Sequence, residues 1–303
     1  MTEDRSSYAA ASLDRVLFTR GEMQRDLAYL LNGDAAPAGA DPVEACVAAR
    51  ADILVTARIG SFDLVPVAVP ADFDVPGIGH VVAAIGTGPH SVLAADVAQR
   101  IGIALGCPVE LVTAAAGSDA ATARRVLEEL VEGRPGTTLR VLSDAKPTSL
   151  TATAPDRSLI VAGAPGGNWF QRQLFGPGAK LRARSSAGSV VVKSVPRRVF
   201  HAAEAPEHWF GPHLLLSDAA AIVHDAVVPV VDDGLLVGIV RKTALGPGGA
   251  ETVQDVMEPA PPIKITDAMS AVAEVADFFE GSSVPVVDEE GRLVGSVLPG
   301  GSP

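Results

Sequence analysis

Basic residues are in short supply. The 303 residues carry 24 Lys and Arg against 36 Asp and Glu, a formal charge of −12 with a pI near 4.9. Gripping a nucleic-acid backbone takes a concentrated cationic surface, so this balance argues against a nucleic-acid partner. The one basic cluster, Lys180, Arg182 and Arg184 with Arg197 and Arg198 beyond it, is local and reads as a solvated helix face followed by a linker. Cysteine is scarcer still. Cys46 and Cys107 lie far apart and in no metal-type spacing, the usage of a reducing compartment, and both read as core-filling. An apolar run free of helix breakers is also missing: the longest uncharged stretch, Val75 to Ala95, contains Pro76, Gly77, Gly79, Gly86, Gly88 and Pro89, which argues against a membrane-spanning helix. The N-terminus, MTEDRSSYAAASLDR, has early acidic residues and no apolar segment of the secretory kind. These absences predict a cytoplasmic location without membrane insertion.

Catalytic constellations are lacking too. His80, His90, His201, His208, His213 and His224 fall in no ligand pattern. HAAEAPEHW brings only His201, Glu204 and His208 near one another, and Pro206 makes that stretch read as a polar linker. No Walker-type Lys follows a glycine loop, and GXSXG is absent. GTGPHS is similar to a dinucleotide fingerprint, but Ser91 replaces its third glycine and Glu110 sits near the beginning of the following strand rather than its end. The N–H groups around Gly88 to Ser91 can still hold an anion. The chain therefore reads as a non-enzyme with no metal site, a slow nucleotide hydrolase being the most distant reading.

Apolar side chain, in contrast, is plentiful. Hydrophobic residues make up 48% and charged residues 20%, enough for buried cores in a chain of two-domain length. A repeat stands near the C-terminus: VPVVDDGLLVGIV at 228–240 and VPVVDEEGRLVGSV at 284–297. Each predicts a strand, an acidic turn closed by Gly234 or Gly291, and a second strand. A helix is expected before each, the first from Ser217 and Asp218 through Ile222, the second N-capped by Thr266 with Met269, Val272, Ala276 and Phe279 on one face. Neither unit can bury its apolar face alone, so the two should pack together.

These hairpins, with VQDVMEPAPPIKITDAMSAVAEVADFF leading into the second, resemble a tandem pair of CBS domains over residues 196–300, with repeats at 199–245 and 251–300. The resemblance implies an α+β unit that takes AMP or ATP in a cleft between the repeats, the base lying against Val228, Val230, Val284 and Val286. The family's ribose-binding Thr or Ser and Asp fall on Arg241 and Ala244 in one repeat and on Leu298 and Gly301 in the other, leaving Arg241 and Lys242 to meet phosphate by charge.

Upstream, HVVAAIG, PVELVTA, TTLRVLSDA, SLIVAGA and GSVVVKSV are near-continuous apolar runs separated by helical stretches, the pattern of a parallel α/β sheet covered on both faces. In GAPGGNWFQRQLFGPGA, Gly163, Gly166 and Gly176 have the G-x2-G-x9-G spacing of ATP-binding universal stress proteins. Residues 79–195 resemble that family, of the adenine nucleotide alpha hydrolase-like fold. The resemblance implies a phosphate site from Gly86, Gly88, Ser91, Gly163, Gly166, Gly167 and Gly176, with Mg2+ accompanying any ATP. Two positions depart from it: Pro177 replaces a Ser or Thr, and Gly86 an adenine-contacting Asp. Residues 1–78 read either as a degenerate half of a second such domain or as an extension that pads the sheet or a partner subunit. Taken together, the resemblances imply a homodimeric stress-response regulator that senses an adenine nucleotide or related anion and signals to a protein partner. The alternative is an adaptor or structural dimer whose nucleotide sites have degenerated.

Overall fold

Short runs of Val, Ile, Leu and Ala without polar alternation become the buried strands of a sheet, ILV, VVAA, LIVAG and VVV among them, whereas AP at one edge and TTLRVL at the other stay partly or fully exposed. In the computed structural model, which describes residues 13–59, 63–86, 88–115, 119–143, 153–164, 187–246 and 250–299, these strands belong to the first of two compact units, Met1–Val195 and Pro196–Pro303. The first unit runs β1 (Val16–Phe18), α1 (Glu22–Leu31), β2 (Ala36–Pro37), α2 (Pro42–Ala49), β3 (Ile53–Val55), β4 (Val67–Ala71), β5 (His80–Ala84), α3 (His90–Leu105), β6 (Val109–Ala114), α4 (Asp119–Val131), β7 (Thr137–Leu142), β8 (Ser158–Gly163) and β9 (Ser189–Lys193).

All nine strands share one sheet in the order β2-β1-β3-β4-β9-β8-β5-β6-β7. Every pairing is parallel except β4 with β9, where Ala68 faces Val192 and Pro70 faces Val190. Outward from that antiparallel pair the two sides mirror each other: β3 matches β8, β1 matches β5 and β2 matches β6, while β7 has no counterpart. Residues 16–71 thus continue the sheet built by residues 80–193. A shared core runs across the join, with Leu27, Leu31, Ile53 and Val55 packed together with Val81, Leu93, Ile101, Leu111, Leu159 and Val190.

Local chemistry explains the helices. Asp41 caps α2, its carboxylate accepting from the Val43 and Glu44 amides at 3.0 Å each, with Pro42 in the first turn. The α3 helix buries Leu93, Ala94, Ala95, Val97, Ala98 and Ile101, so its small residues let it lie close on the sheet. It stops at Gly106, whose φ of +63° is the left-handed cap that glycine favours. Cys46 is buried, which pushes its thiol up to about 12; Cys107 is half-buried against the main core. Among the described residues no helix is long and apolar enough to cross a membrane.

The second unit contains α5 (Leu216–Ile222), β10 (Val227–Asp232), β11 (Leu235–Arg241), α6 (Met269–Val275), β12 (Val284–Val287) and β13 (Leu293–Val297). β10·β11 and β12·β13 are antiparallel hairpins, each with a register shift at the same place in its VPVV segment. The repeats are interlaced. Glu204, ahead of the first hairpin, exchanges two backbone hydrogen bonds of 2.9 Å with Ser296 of the second, and Glu258, ahead of the second, does the same with Ile239 of the first. Gly238 and Gly295 make this possible, since a Cβ at either would lie 2.8 Å from the facing Glu258 or Glu204 carbonyl oxygen. Each repeat also lends a residue to the other's core: Val253 joins Val228, Val230 and Val240, while Val199 and Ala203 join Val284, Val286 and Val297.

One helix start differs from expectation. α6 begins after Ala268 with no side-chain cap. Thr266 instead donates to Glu289 at 3.1 Å, and the Asp267 carboxylate accepts from the Lys264 amide at 2.8 Å. Thr266 thus ties the lead-in segment to the hairpin turn, and Asp267 closes a turn within the lead-in itself.

Candidate functional site

Among the described residues, two places have the shape to hold a ligand. In the sheet, the chain leaves β5 towards β6 on one side and returns as β8 on the other, so the carboxyl ends of β5 and β8 form the point where strand order reverses and where ligands of such sheets bind. Gly86 and Ser91 meet there. The Ser91 hydroxyl donates to the Gly86 carbonyl at 2.9 Å and accepts from the Gly86 amide at 3.1 Å, so two groups expected to cradle phosphate are paired with each other. Gly163 ends β8 beneath the start of α3, and a Cβ on it would lie 2.8 Å from His90 Cβ. His90 Nδ1 in turn accepts from the Ser194 amide at 3.0 Å, which pins the ring near this point, a role its sequence context did not announce. Gly86, Gly88 and Ser91 line a small cleft closed by Pro89, Val92, Val126 and Leu130. Gly166, Gly167, Gly176 and Pro177 lie outside the described residues.

The second place is a cleft in the C-terminal unit. Val227, Pro229, Pro285 and Leu293 give it apolar walls, and Ser283, Gly295 and Ser296 add small and hydroxyl-bearing positions. Pro206, Glu207, His208 and Asp225 complete the lining, with His208 Nε2 2.7 Å from an Asp225 carboxylate oxygen. The strand pleat decides which residues reach it. Successive side chains point to opposite faces, so Val228, Val230, Val284 and Val286 are fully buried in the two cores, while the prolines between them reach the cleft.

Arg241, at the end of β11, forms ion pairs with Glu258 and Glu280, and its guanidinium lies 4.9 Å from the Phe278 ring centroid. A phosphate there would have to compete with two carboxylates. Lys242 beside it is exposed. In the second repeat the position matching Arg241, directly after the Val297 that pairs with Val284, is Leu298, 61% exposed. Ala244 is half-buried against the first repeat's core, and Gly301 lies outside the described residues. His201 takes part in capping the turn at 199–201. No group of three or more metal-ligating side chains occurs among the described residues; the carboxylates that a Mg2+ carried by ATP would meet at this cleft are Glu207 and Asp225, the latter already beside His208.

Residues 253–298 match the CBS domain family, and this segment, from the lead-in through β13, is a CBS domain. The first repeat has the same order of turn, helix and hairpin. No curated protein matches the chain significantly. Among solved structures, the CBS-pair protein CBSX2 from Arabidopsis thaliana is similar at 24% identity, over 32% of this chain and 84% of that one, with a TM-score of 0.28. CBSX2 in complex with AMP is similar at 25% identity over 34% and 90%, with a TM-score of 0.29. The cytosolic domain of the Mg2+ channel MgtE in complex with ATP is similar at 21% over 33% and 45%, with a TM-score of 0.30.

Proposed function

We propose that this protein is a non-enzymatic regulator whose C-terminal CBS pair binds an adenosine-type ligand, the class to which AMP and ATP belong, in the cleft of Pro229, Pro285 and Ser296. The observation that carries this reading is the cleft itself: its walls come from both interlaced hairpins, so a ligand seated there holds the two repeats together. Such a ligand acts by differential affinity for the states of the assembly. CBSX2 has been captured with AMP and the MgtE cytosolic domain with ATP; the same ligand class is proposed here. The nine-stranded unit is read as a universal stress protein-like scaffold, supported by the sequential order 3-2-1-4-5 of the strands in residues 80–193. Residues 16–71 supply a shortened second half of that scaffold. We assign the protein to a cytoplasmic stress response, as a homodimer that passes ligand occupancy to a protein partner.

A second reading, an adaptor that assembles without nucleotide, is favoured by the mutual pairing of Gly86 with Ser91 and by the two carboxylates on Arg241. Thermal unfolding with millimolar adenosine, AMP and ATP separates the two, since a ligand that binds only the native state raises the midpoint. The sensor reading expects a rise that disappears in Ser283→Trp, which fills the cleft. The adaptor reading expects no rise with any of the three.

A further inference from the structure

We infer that the C-terminal cleft reads the nucleoside and rejects free phosphate, so that its ligand is an adenosine derivative without net negative charge: neutral, or bearing a sulfonium or ammonium. This rests on the reading of the cleft as an adenosine-type site. Among the described residues, the ionisable groups lining it are Glu207, His208 and Asp225, and no Lys or Arg lines it. His208 and Asp225 are paired with each other, Nε2 to carboxylate oxygen at 2.7 Å, which leaves Glu207 as the further acid that a bound anion would meet. Elsewhere in the unit Arg241 is paired with Glu258 and Glu280 and Lys264 with Glu289, and Lys242 is exposed outside the lining. The surrounding field has the same sign. Residues 196–303 hold 16 Asp and Glu against 6 Lys and Arg, a net −10 of the chain's −12, and such a field repels a phosphate before it arrives. What the cleft does offer is apolar wall for a ring from Pro229, Pro285 and Leu293, hydroxyls for ribose from Ser283 and Ser296, and carboxylates that favour a cation.

Calorimetric titration of the full chain in EDTA, at low and high salt, tests this with adenosine, S-adenosylmethionine, AMP and ATP. Adenosine and S-adenosylmethionine should bind about tenfold more tightly than AMP at low salt, with ATP weaker still. Added salt should tighten AMP and ATP by screening the repulsion and leave adenosine unchanged. The double variant Glu207→Gln, Asp225→Asn should bring AMP to within about threefold of adenosine. The salt series on the unaltered protein stands whether or not that variant folds. Tighter binding of AMP or ATP than of adenosine, weakening as salt rises, overturns the charge preference and leaves an adenosine-type site intact. No binding by any of the four overturns the site reading along with it.

Discussion

Gly238 and Gly295 occupy equivalent places in the two hairpins, and each lets the other repeat's backbone come close enough to hydrogen-bond. Replacing either with Ala puts a methyl 2.8 Å from a carbonyl oxygen, and the strand must move. Each variant should lose about 2 kcal/mol of stability in the C-terminal unit, measured by denaturant unfolding, and the two losses should be alike; a neutral result at either position contradicts the interlacing. A second residue, Asp96 on α3, makes a pH prediction. Burial raises its pKa, the Arg134 guanidinium lowers it, and burial prevails because one carboxylate oxygen is buried without a partner among the described residues. The native state then holds this proton more tightly than the unfolded chain does. Its contribution favours folding as pH falls into the carboxylate range and is lost as pH rises through the raised value. Asp96→Asn should flatten that part of the profile of Tm against pH; an unchanged slope would contradict the assignment.

At the scale of elements, the antiparallel β4·β9 pair carries a prediction of its own. Without residues 1–78, β9 (SVVVK) becomes an exposed edge strand with Val190, Val191 and Val192 at its centre, open to pairing with other chains. That truncation should self-associate or aggregate in sedimentation experiments, whereas a well-behaved monomer would show that the join is dispensable. The second unit is similarly indivisible. Residues 196–245 alone lack Val253 and the Glu258 segment, and should show no cooperative unfolding. How much of these elements was legible follows from their length. HVVAAIG and SLIVAGA announce buried strands because five or six apolar residues run together, but β1 has three residues and β2 two, one of them Pro37. No local pattern shows that β4 lies antiparallel to a strand more than a hundred residues away. In the hairpins, the strand pleat already implied that valines and prolines of VPV face opposite ways, which distinguishes core from cleft. The pairing of Gly86 with Ser91 and the two carboxylates around Arg241 depend on loop geometry and long-range contacts that the motifs do not encode.

At the scale of the whole molecule, charge and chemistry are divided between the units. The N-terminal unit, nearly neutral, is an extended sheet whose point of strand reversal is occupied by its own His90, Ser91 and Gly163. The C-terminal unit holds most of the excess negative charge and a cleft that takes residues from both repeats. The account therefore places ligand sensing in residues 196–299 and scaffolding in the rest. Its central claim is tested most directly by calorimetric titration of adenosine into the full chain, beside the Ser283→Trp and Gly163→Ala variants. Saturable binding that is lost in Ser283→Trp and retained in Gly163→Ala is the expected result. Binding that survives Ser283→Trp and vanishes with Gly163→Ala would move the site to the nine-stranded sheet and contradict the account.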